Sequence, residues 1–299
     1  MEWLRAKLIL IVAFAVLDAT LAYRLYVQSA PALRPSDLAL PSEAQVRAQL
    51  EQAGLRLASV LPDPSEAVPW LDLSPRPAPA SLVAALIPEP VREGREGTRQ
   101  VAEGGVSYRW EKGRAWVSRE GWVVFTSTAR GEDPPGSYAA ASARADALAW
   151  LARLRALPSD VHAAGEPRYN PQRGGYAVTL QQHGAGGLPL LDGGIQVLMA
   201  RQGVLGFSWK LWDWRVPERA GPAAVVPATR ILVRELREGG VLAAAARSRP
   251  DAAGAWVAVV LGYRAEGQRG RLVWRIGLAG GAHDFDAVTG ARLPPVEAP

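Results

Sequence analysis

The pattern of hydrophobic and polar positions divides the chain into one continuous apolar run and a long region of short mixed segments. The run covers about twenty residues, Leu8–Val27. A helix of this length, rising about 1.5 Å per residue, crosses a hydrocarbon core about 30 Å thick. Arg5 and Lys7 directly precede it, which favours a cytoplasmic tail at residues 1–7. We therefore expect a single transmembrane helix at residues 8–27, with the bulk of the chain extracytoplasmic at the cell membrane.

A cleaved secretory signal is the alternative interpretation of this run. Thr20 and Ala22 form a weak small-x-small cleavage motif. The run is, however, longer than the roughly 7–15 apolar residues of a signal peptide. The pattern therefore favours an uncleaved anchor, followed by a proline-containing linker at residues 28–41.

Beyond the linker, the spacing of apolar residues predicts one short helix. Ser42 is a suitable N-cap, and Val46 and Leu50 follow at helical spacing, with Leu57 as a further candidate. Gly54 is a suitable stop signal.

The next segments are interpreted from their proline and glycine content. Residues 61–90 are rich in proline, which argues against a regular interior strand and predicts a covering arm. A charged, glycine-containing loop is expected at residues 92–105. Aromatic and β-branched residues broken by turn signals predict a three-stranded antiparallel meander at residues 106–128. We therefore expect an N-terminal α+β extracytoplasmic domain at residues 42–136.

The remaining chain predicts helices that alternate with groups of strands. Helices are expected at residues 139–157 and 227–238, and a hairpin turn at Gln202-Gly203. The predicted strands lie at residues 174–182, 195–216, 255–263, 272–278 and 283–290. This order predicts an α+β domain at residues 137–299 made of two helix-plus-sheet units, each an antiparallel sheet with a helix on one face, as a duplication would give.

Composition narrows the function classes. Of the 299 residues 48% are hydrophobic, which excludes a mainly disordered protein. There is no cysteine, which excludes disulfides, thiolate zinc sites and cysteine nucleophiles. The net charge of +5 allows weak attraction to an anionic surface. Because the basic residues are dispersed among acidic ones, no nucleic-acid binding is expected.

Neither catalysis nor a cofactor is indicated by the motifs. The three histidines, His162, His183 and His283, lie far apart and show no metal-ligand spacing. We expect His162 and His183 in surface loops and His283 at the start of a terminal strand. We expect no catalytic residues, no cofactor-binding residues and no metal ligands, and therefore no enzyme.

Two acidic and aromatic motifs also have structural explanations. Asp284 and Asp286 are two residues apart, so a strand places them on one face with Phe285 on the other, as at a solvated edge. Trp212 and Trp214 likewise share a face opposite Asp213. We expect the tryptophans to belong mainly to the core, while an exposed set would indicate an interface.

Asp18 is the most unusual residue of the apolar run. An ionisable side chain there costs roughly 2.5–3.5 kcal/mol on insertion scales, so it needs protonation, displacement toward the interface or a partner. Small residues such as Ala15 and Ala19 allow a close helix contact; simple tolerance of one aspartate is the alternative. The hypothetical partner contact in the membrane consists of Leu10, Phe14, Leu17, Asp18 and Leu21.

The N-terminus MEWLRAKLILIVAFAVLDATLAYRLY resembles the start of the YycI (WalI) family of Gram-positive membrane proteins. The segments GGYAVTL, IQVLMARQGVLGFSWKLWDW and LVWRIGL…HDFDAVTGARL add to this resemblance. The last of them also resembles the end of PepSY-like and YycH-type domains.

This resemblance implies a non-enzymatic accessory regulator of the WalK–WalR two-component system, which controls cell-wall metabolism. The implied partners are a WalK-like sensor histidine kinase and a YycH-like protein, with contacts in the membrane and outside it. Homo- and heterodimers both stay open. The competing class is a membrane-tethered extracytoplasmic module that binds a wall polymer, a peptide or a protease; an exported enzyme is disfavoured.

Overall fold

The computed structural model describes residues 41–62, 68–131, 138–218, 221, 223–248 and 255–295. The predicted tail, the transmembrane helix at residues 8–27 and the linker up to residue 40 lie outside these ranges. The hypothetical membrane contact therefore lies outside them too: Leu10, Phe14, Leu17, Asp18 and Leu21. Among the helices of the described ranges, none has the length and apolar character needed to cross a membrane.

The described residues form an α+β structure, as the sequence predicts. The helices are α1 (Glu43–Gln52), α2 (Ala80–Leu86), α3 (Glu89–Arg92), α4 (Ala140–Arg153), α5 (Ala228–Arg237) and α6 (Val241–Ser248). The strands are β1 (Leu55–Leu57), β2 (Leu71–Arg76), β3 (Thr98–Ala102), β4 (Gly105–Trp110), β5 (Gly113–Ser118), β6 (Val123–Ser127), β7 (Val161–Ala163), β8 (Arg168–Asn170), β9 (Gly175–His183), β10 (Pro189–Ala200), β11 (Gly203–Arg215), β12 (Ala255–Glu266), β13 (Arg269–Leu278) and β14 (Gly281–Asp286).

The first sheet is antiparallel, and the described helices that pack on it lie on one face. Its order is β3-β4-β5-β6-β11-β10-β9, with β7 and β8 beyond β9. Phe125, Phe207 and Val197 face one another across three strands and are buried under α2 and α4. Trp150 of α4 packs edge-on against Phe207 at 5.5 Å between ring centroids. This side of the sheet is a conventional hydrophobic core.

The second sheet carries a separate core. It contains β2, β13, β12 and β14, and β1 pairs in parallel with β12. Leu261, Trp274 and Phe285 face one another across β12, β13 and β14 and are buried with residues of α1, α5 and α6. The Trp274 indole N–H donates to the Val226 carbonyl at 2.8 Å, which satisfies its polar atom.

Strand β2 joins the two sheets, although its proline argued against an interior strand. Asp72–Arg76 pair with β11, while only Leu71 and Asp72 pair with β13. The Leu73 N–H donates to Gln268 in the β12–β13 turn at 2.8 Å. Successive backbone N–H groups point to opposite sides of a strand, so the nitrogen of Pro75 points to the same side as the Leu73 N–H. At Pro75 the chain has passed the β12–β13 turn, and no described strand lies beside it on that side. Pro75 therefore removes no ladder hydrogen bond, and the prediction of a covering arm is wrong for Leu71–Arg76.

Most locally encoded elements match their predictions. Ser42 caps α1 with a reciprocal capping box through Gln45, and Gly54 follows α1 with φ +75°. Leu57 belongs to β1 and not to the helix. The predicted loop at residues 92–105 contains β3, and α6 was not predicted.

The two cores do not follow the predicted ranges 42–136 and 137–299. The first core combines α2 and β5 with α4 and β9–β11, and the second combines α1 and β2 with α5 and β12–β14. In the second range, α4 precedes the antiparallel strands β9–β11, and α5 with α6 precedes β12–β14.

Candidate functional site

The side of the first sheet that no described helix covers presents two rows of paired residues, which we call the open face. The first row runs Gln100, Ser107, Trp116, Val124, Ser208, Gln196 and Thr179. The second row runs Thr98, Arg109, Arg114, Thr126, Gly206, Leu198, Ala177 and Arg168. These positions alternate with the buried core positions, as strand geometry requires. The face is mostly hydroxyl, amide and basic groups, and it contains no carboxylate.

Arg109 and Arg114 form a like-charge pair on this face. They are directly opposite each other in β4 and β5, because the two-residue turn Glu111-Lys112 sets that register. Both are exposed, and in the described part of the chain neither forms an ion pair or a side-chain hydrogen bond. Like charges directly opposite in a sheet are destabilising. A pair retained without a counter-ion is therefore suited to binding an anion.

Two adjoining clefts surround this pair. A cleft of about 390 Å³ is lined by residues of β3–β6, including Gln100 and Trp116. A second cleft, of about 370 Å³, is lined by the ends of β4, β5 and β6, by Thr128 and by Arg173. Arg109 and Arg114 line both clefts. The Arg173 guanidinium donates to the carbonyls of Ser127 and Ala129, which holds it at the rim.

Apolar groups occupy the middle of the open face. Trp116 is half-buried, and Val124 beside it is 46% exposed. Lys210, further along β11, places its Nζ 4.9 Å from the ring centroid of Trp122. The face therefore combines an accessible indole with fixed positive charges on both sides.

Three arginines of the second sheet, in contrast, have carboxylate partners: Arg264, Arg271 and Arg275. Arg275 forms two hydrogen bonds with Asp284, of 2.7 and 2.8 Å, and a third of 3.3 Å with Asp192. The hydrogen bond to Asp284, against the effect of burial, raises the pKa of Arg275. Arg264 is also within 3.5 Å of Asp284. These charges neutralise one another within the second sheet, so they are not available to an outside anion as those of the open face are.

This ion-pair cluster corrects the interpretation of Asp284 and Asp286 as a solvated edge. The two carboxylates share a face opposite Phe285, as expected, but they are only 8% and 5% exposed. Asp286 accepts hydrogen bonds from the Thr289 backbone at 2.6 Å and from Arg271 at 2.6 Å. Burial opposes ionisation, but these hydrogen bonds outweigh it and lower the pKa of Asp286.

A second polar network lies where β2, β9 and β11 meet. Arg76 makes a bidentate contact with Asp160, at 2.8 and 3.0 Å, and donates to Asp213 at 2.6 Å. Gln182 is fully buried and bridges Asp160 and the backbone of Trp212. Trp212 is buried as predicted, whereas Trp256 is 59% exposed. The network fixes the junction between the two sheets.

The histidines are positioned differently from the expectation. His162 lies in β7 and His183 ends β9, with ring centroids 5.2 Å apart, so the prediction of two surface loops is wrong. His283 lies in β14, near the start predicted for it, and contacts Arg292. Among the described residues, no group of three or more His, Asp or Glu side chains could hold a metal ion.

The open face itself was not predicted, and the five residues of the hypothetical membrane contact stay a hypothesis. The signal for the face was present in the segment RWEKGRAW, Arg109–Trp116. Once the turn register is fixed, this alternation places two arginines and one indole on the side opposite the core.

Comparison with known proteins gives little beyond these observations. No family model matches the chain, and no curated protein matches it significantly. Among solved structures it is similar to the C-terminal domain of Bacillus megaterium YpeB, with 11% sequence identity and a TM-score of 0.33, over 84% of this chain and 95% of that domain. At this score the alignment carries no functional argument, so the proposals rest on this chain's residues.

Proposed function

We propose that this chain is a non-enzymatic accessory protein, anchored in the cell membrane by residues 8–27, whose extracytoplasmic part binds through the open face. The observation that carries the proposal is that Arg109 and Arg114 oppose each other with no carboxylate partner among the described residues. They do so on a side of the sheet that no described helix covers. Like charges opposed in a sheet cost some stability, which a role in binding would account for. The anchor is supported by the length and flanking charges of the apolar run.

The proposed target of this accessory is a WalK-type sensor histidine kinase that controls cell-wall metabolism. The accessory would act on this kinase together with a YycH-like protein. The support for this target is the resemblance of the N-terminal segment and of three strand segments to the YycI family. Such an accessory acts only if it binds one signalling state of the kinase more tightly than the other. A tenfold change in kinase output needs about 1.4 kcal/mol of differential contact.

The proposed contact with the kinase is made by the membrane helix at Leu10, Phe14, Leu17, Asp18 and Leu21. The test is Asp18→Leu in the full chain, with phosphorylation of the cognate response regulator measured in cells. Val16→Leu is the matched control in the same helix. We expect Asp18→Leu to change the phosphorylated fraction at normal protein levels, and Val16→Leu to leave it unchanged. Unchanged phosphorylation in Asp18→Leu would reject the membrane contact.

The second candidate is a membrane-tethered module for which binding outside the cell is the whole function. The positive charge of the open face favours this tethered module as much as it favours the kinase regulator. The two candidates differ in their need for the anchor. If the exported part is released from the membrane and still restores the phenotype of a deletion strain, the tethered module is supported. If only the anchored form acts, the regulator is supported.

A further inference from the structure

We infer that the open face binds an anionic glycopolymer, a chain of sugar or polyol units joined by phosphodiesters. This inference rests on the proposed function only for the extracytoplasmic location of the face. The ligand class follows from the arrangement of charge, ring and polar groups on that face.

The charges are arranged for a long ligand. Arg109 and Arg114 lie near one end of the second row, and Arg168 lies at the other end. Arg114 and Arg168 are separated by five strand spacings, which is about 24 Å. Like the pair, Arg168 is exposed and forms no ion pair within the described ranges. One small anion cannot reach both ends, whereas an extended polyanion can.

The groups between the charges suit sugars and polyols. Ser107, Gln196 and Thr179 offer neutral donors and acceptors along the first row. Trp116 offers a ring beside Arg114 for the apolar face of a ring-shaped unit. Guanidinium groups bind phosphate oxygens in a bidentate manner. An acidic peptide would pair with the same arginines, so the test below includes one. A membrane surface would favour a larger apolar group than Trp116, Val124 and Leu198 provide on this face.

The test uses the full-length chain in nanodiscs of neutral lipid, with purified glucosylated poly(glycerol phosphate), which carries sugar rings on its polyol units, as the probe. Arg109→Gln/Arg114→Gln is compared with Arg56→Gln/Arg237→Gln, which removes two exposed arginines outside the face. We expect the first variant to weaken binding at least about tenfold, because it removes two guanidinium groups that would each bind a phosphate group. We expect the control to bind as the wild type does. Trp116→Ala should also weaken binding, whereas Trp256→Ala should not.

Three outcomes would overturn the inference. One is the absence of salt-sensitive binding to the polymer, and another is equal loss in the face variant and its control. The third is equal or stronger binding to poly-glutamate or to phosphatidylglycerol vesicles, which would reassign the face to acidic polypeptides or to lipid. These results are independent of kinase output, so failure of the glycopolymer and failure of the proposed regulation are distinguishable.

Discussion

Arg76 and Asp160 connect the two sheets through two parallel hydrogen bonds, of 2.8 and 3.0 Å, between β2 and the segment that precedes β7. Both side chains are mostly buried, so water screens this pair weakly. Arg76 also contacts Asp213, whose side chain is largely exposed. The same guanidinium therefore has one buried and one exposed partner, which provides an internal comparison.

We expect Asp160→Asn to lower the free energy of unfolding by about 1–3 kcal/mol, because a charged hydrogen-bonding partner is removed from a buried arginine. Asp213→Asn should lower it by less than about 1 kcal/mol, since exposed ion pairs contribute little. Urea unfolding followed by tryptophan fluorescence measures both. Equal effects of the two variants would show that the junction does not depend on Asp160.

Asp284 should be a second site of large destabilisation. Asp284→Asn leaves Arg275 and Arg264 beside a neutral amide, and removal of one partner of a buried pair typically costs about 3 kcal/mol. Glu166→Gln is the control, because the Glu166 side chain is 83% exposed where it pairs with Arg144. The control should change the unfolding free energy by less than about 1 kcal/mol. A tolerated Asp284→Asn would restore the solvated-edge interpretation.

Acid should destabilise the junction in two steps. Burial, together with the nearby His162, lowers the pKa of His183 below its ordinary 6.5. As the pH falls, His183 is protonated in the unfolded chain before it is protonated in the folded protein. The free energy of unfolding therefore decreases as the pH drops below about 6.5. Burial alone would raise the pKa of Asp160, but hydrogen bonds from Arg76 and Gln182 lower it below 3.8. Its contribution is complete above pH 3.8 and is lost as the pH falls through the folded-state pKa.

The first of these steps can be isolated with His183→Gln. Thermal unfolding of the wild type should occur at lower temperature at about pH 5.5 than at about pH 7.5. In His183→Gln this difference should shrink, because the group that the unfolded chain protonates is absent. A pH response identical to that of the wild type would contradict the role assigned to His183.

The sequence was most informative where structure is set locally. The N-cap at Ser42 and the meander at residues 106–128 depend on neighbouring residues, and both are confirmed. The hairpin predicted at Gln202-Gly203 is also present, but Gly203 pairs with Ala200, so its two turn residues are Arg201 and Gln202. Strand β2 was missed because the effect of Pro75 depends on where β13 begins beside it, which only the tertiary structure shows.

The open face was missed for a related reason. Dispersed arginines show no cluster in the sequence, and only the register of β4, β5, β9 and β8 shows which of them share a face. The same limitation applies to Asp284 and Asp286. Their alternation with Phe285 was correctly interpreted, but their burial depends on arginines of neighbouring strands.

We expect Arg114 to lower the stability of the folded protein, although it contributes to binding at the open face. Arg114→Gln removes the repulsion from Arg109, and we expect it to raise the free energy of unfolding by about 0.2–1 kcal/mol. Arg56→Gln, an exposed change outside the face, should have an effect within about 0.5 kcal/mol of zero. Chemical unfolding of both variants at low salt measures the difference. Destabilisation by Arg114→Gln would show that the arginine pair has a structural role.

The most direct test of the proposal combines the anchor and the face in one measurement. It is phosphorylation of the response regulator in cells that carry full-length Arg109→Gln/Arg114→Gln, with Arg56→Gln/Arg237→Gln as the control. If the anchored protein acts through its open face, the face variant shows the phosphorylation level of the deletion strain at normal protein abundance, and the control shows the wild-type level. Wild-type phosphorylation in the face variant would contradict the proposal.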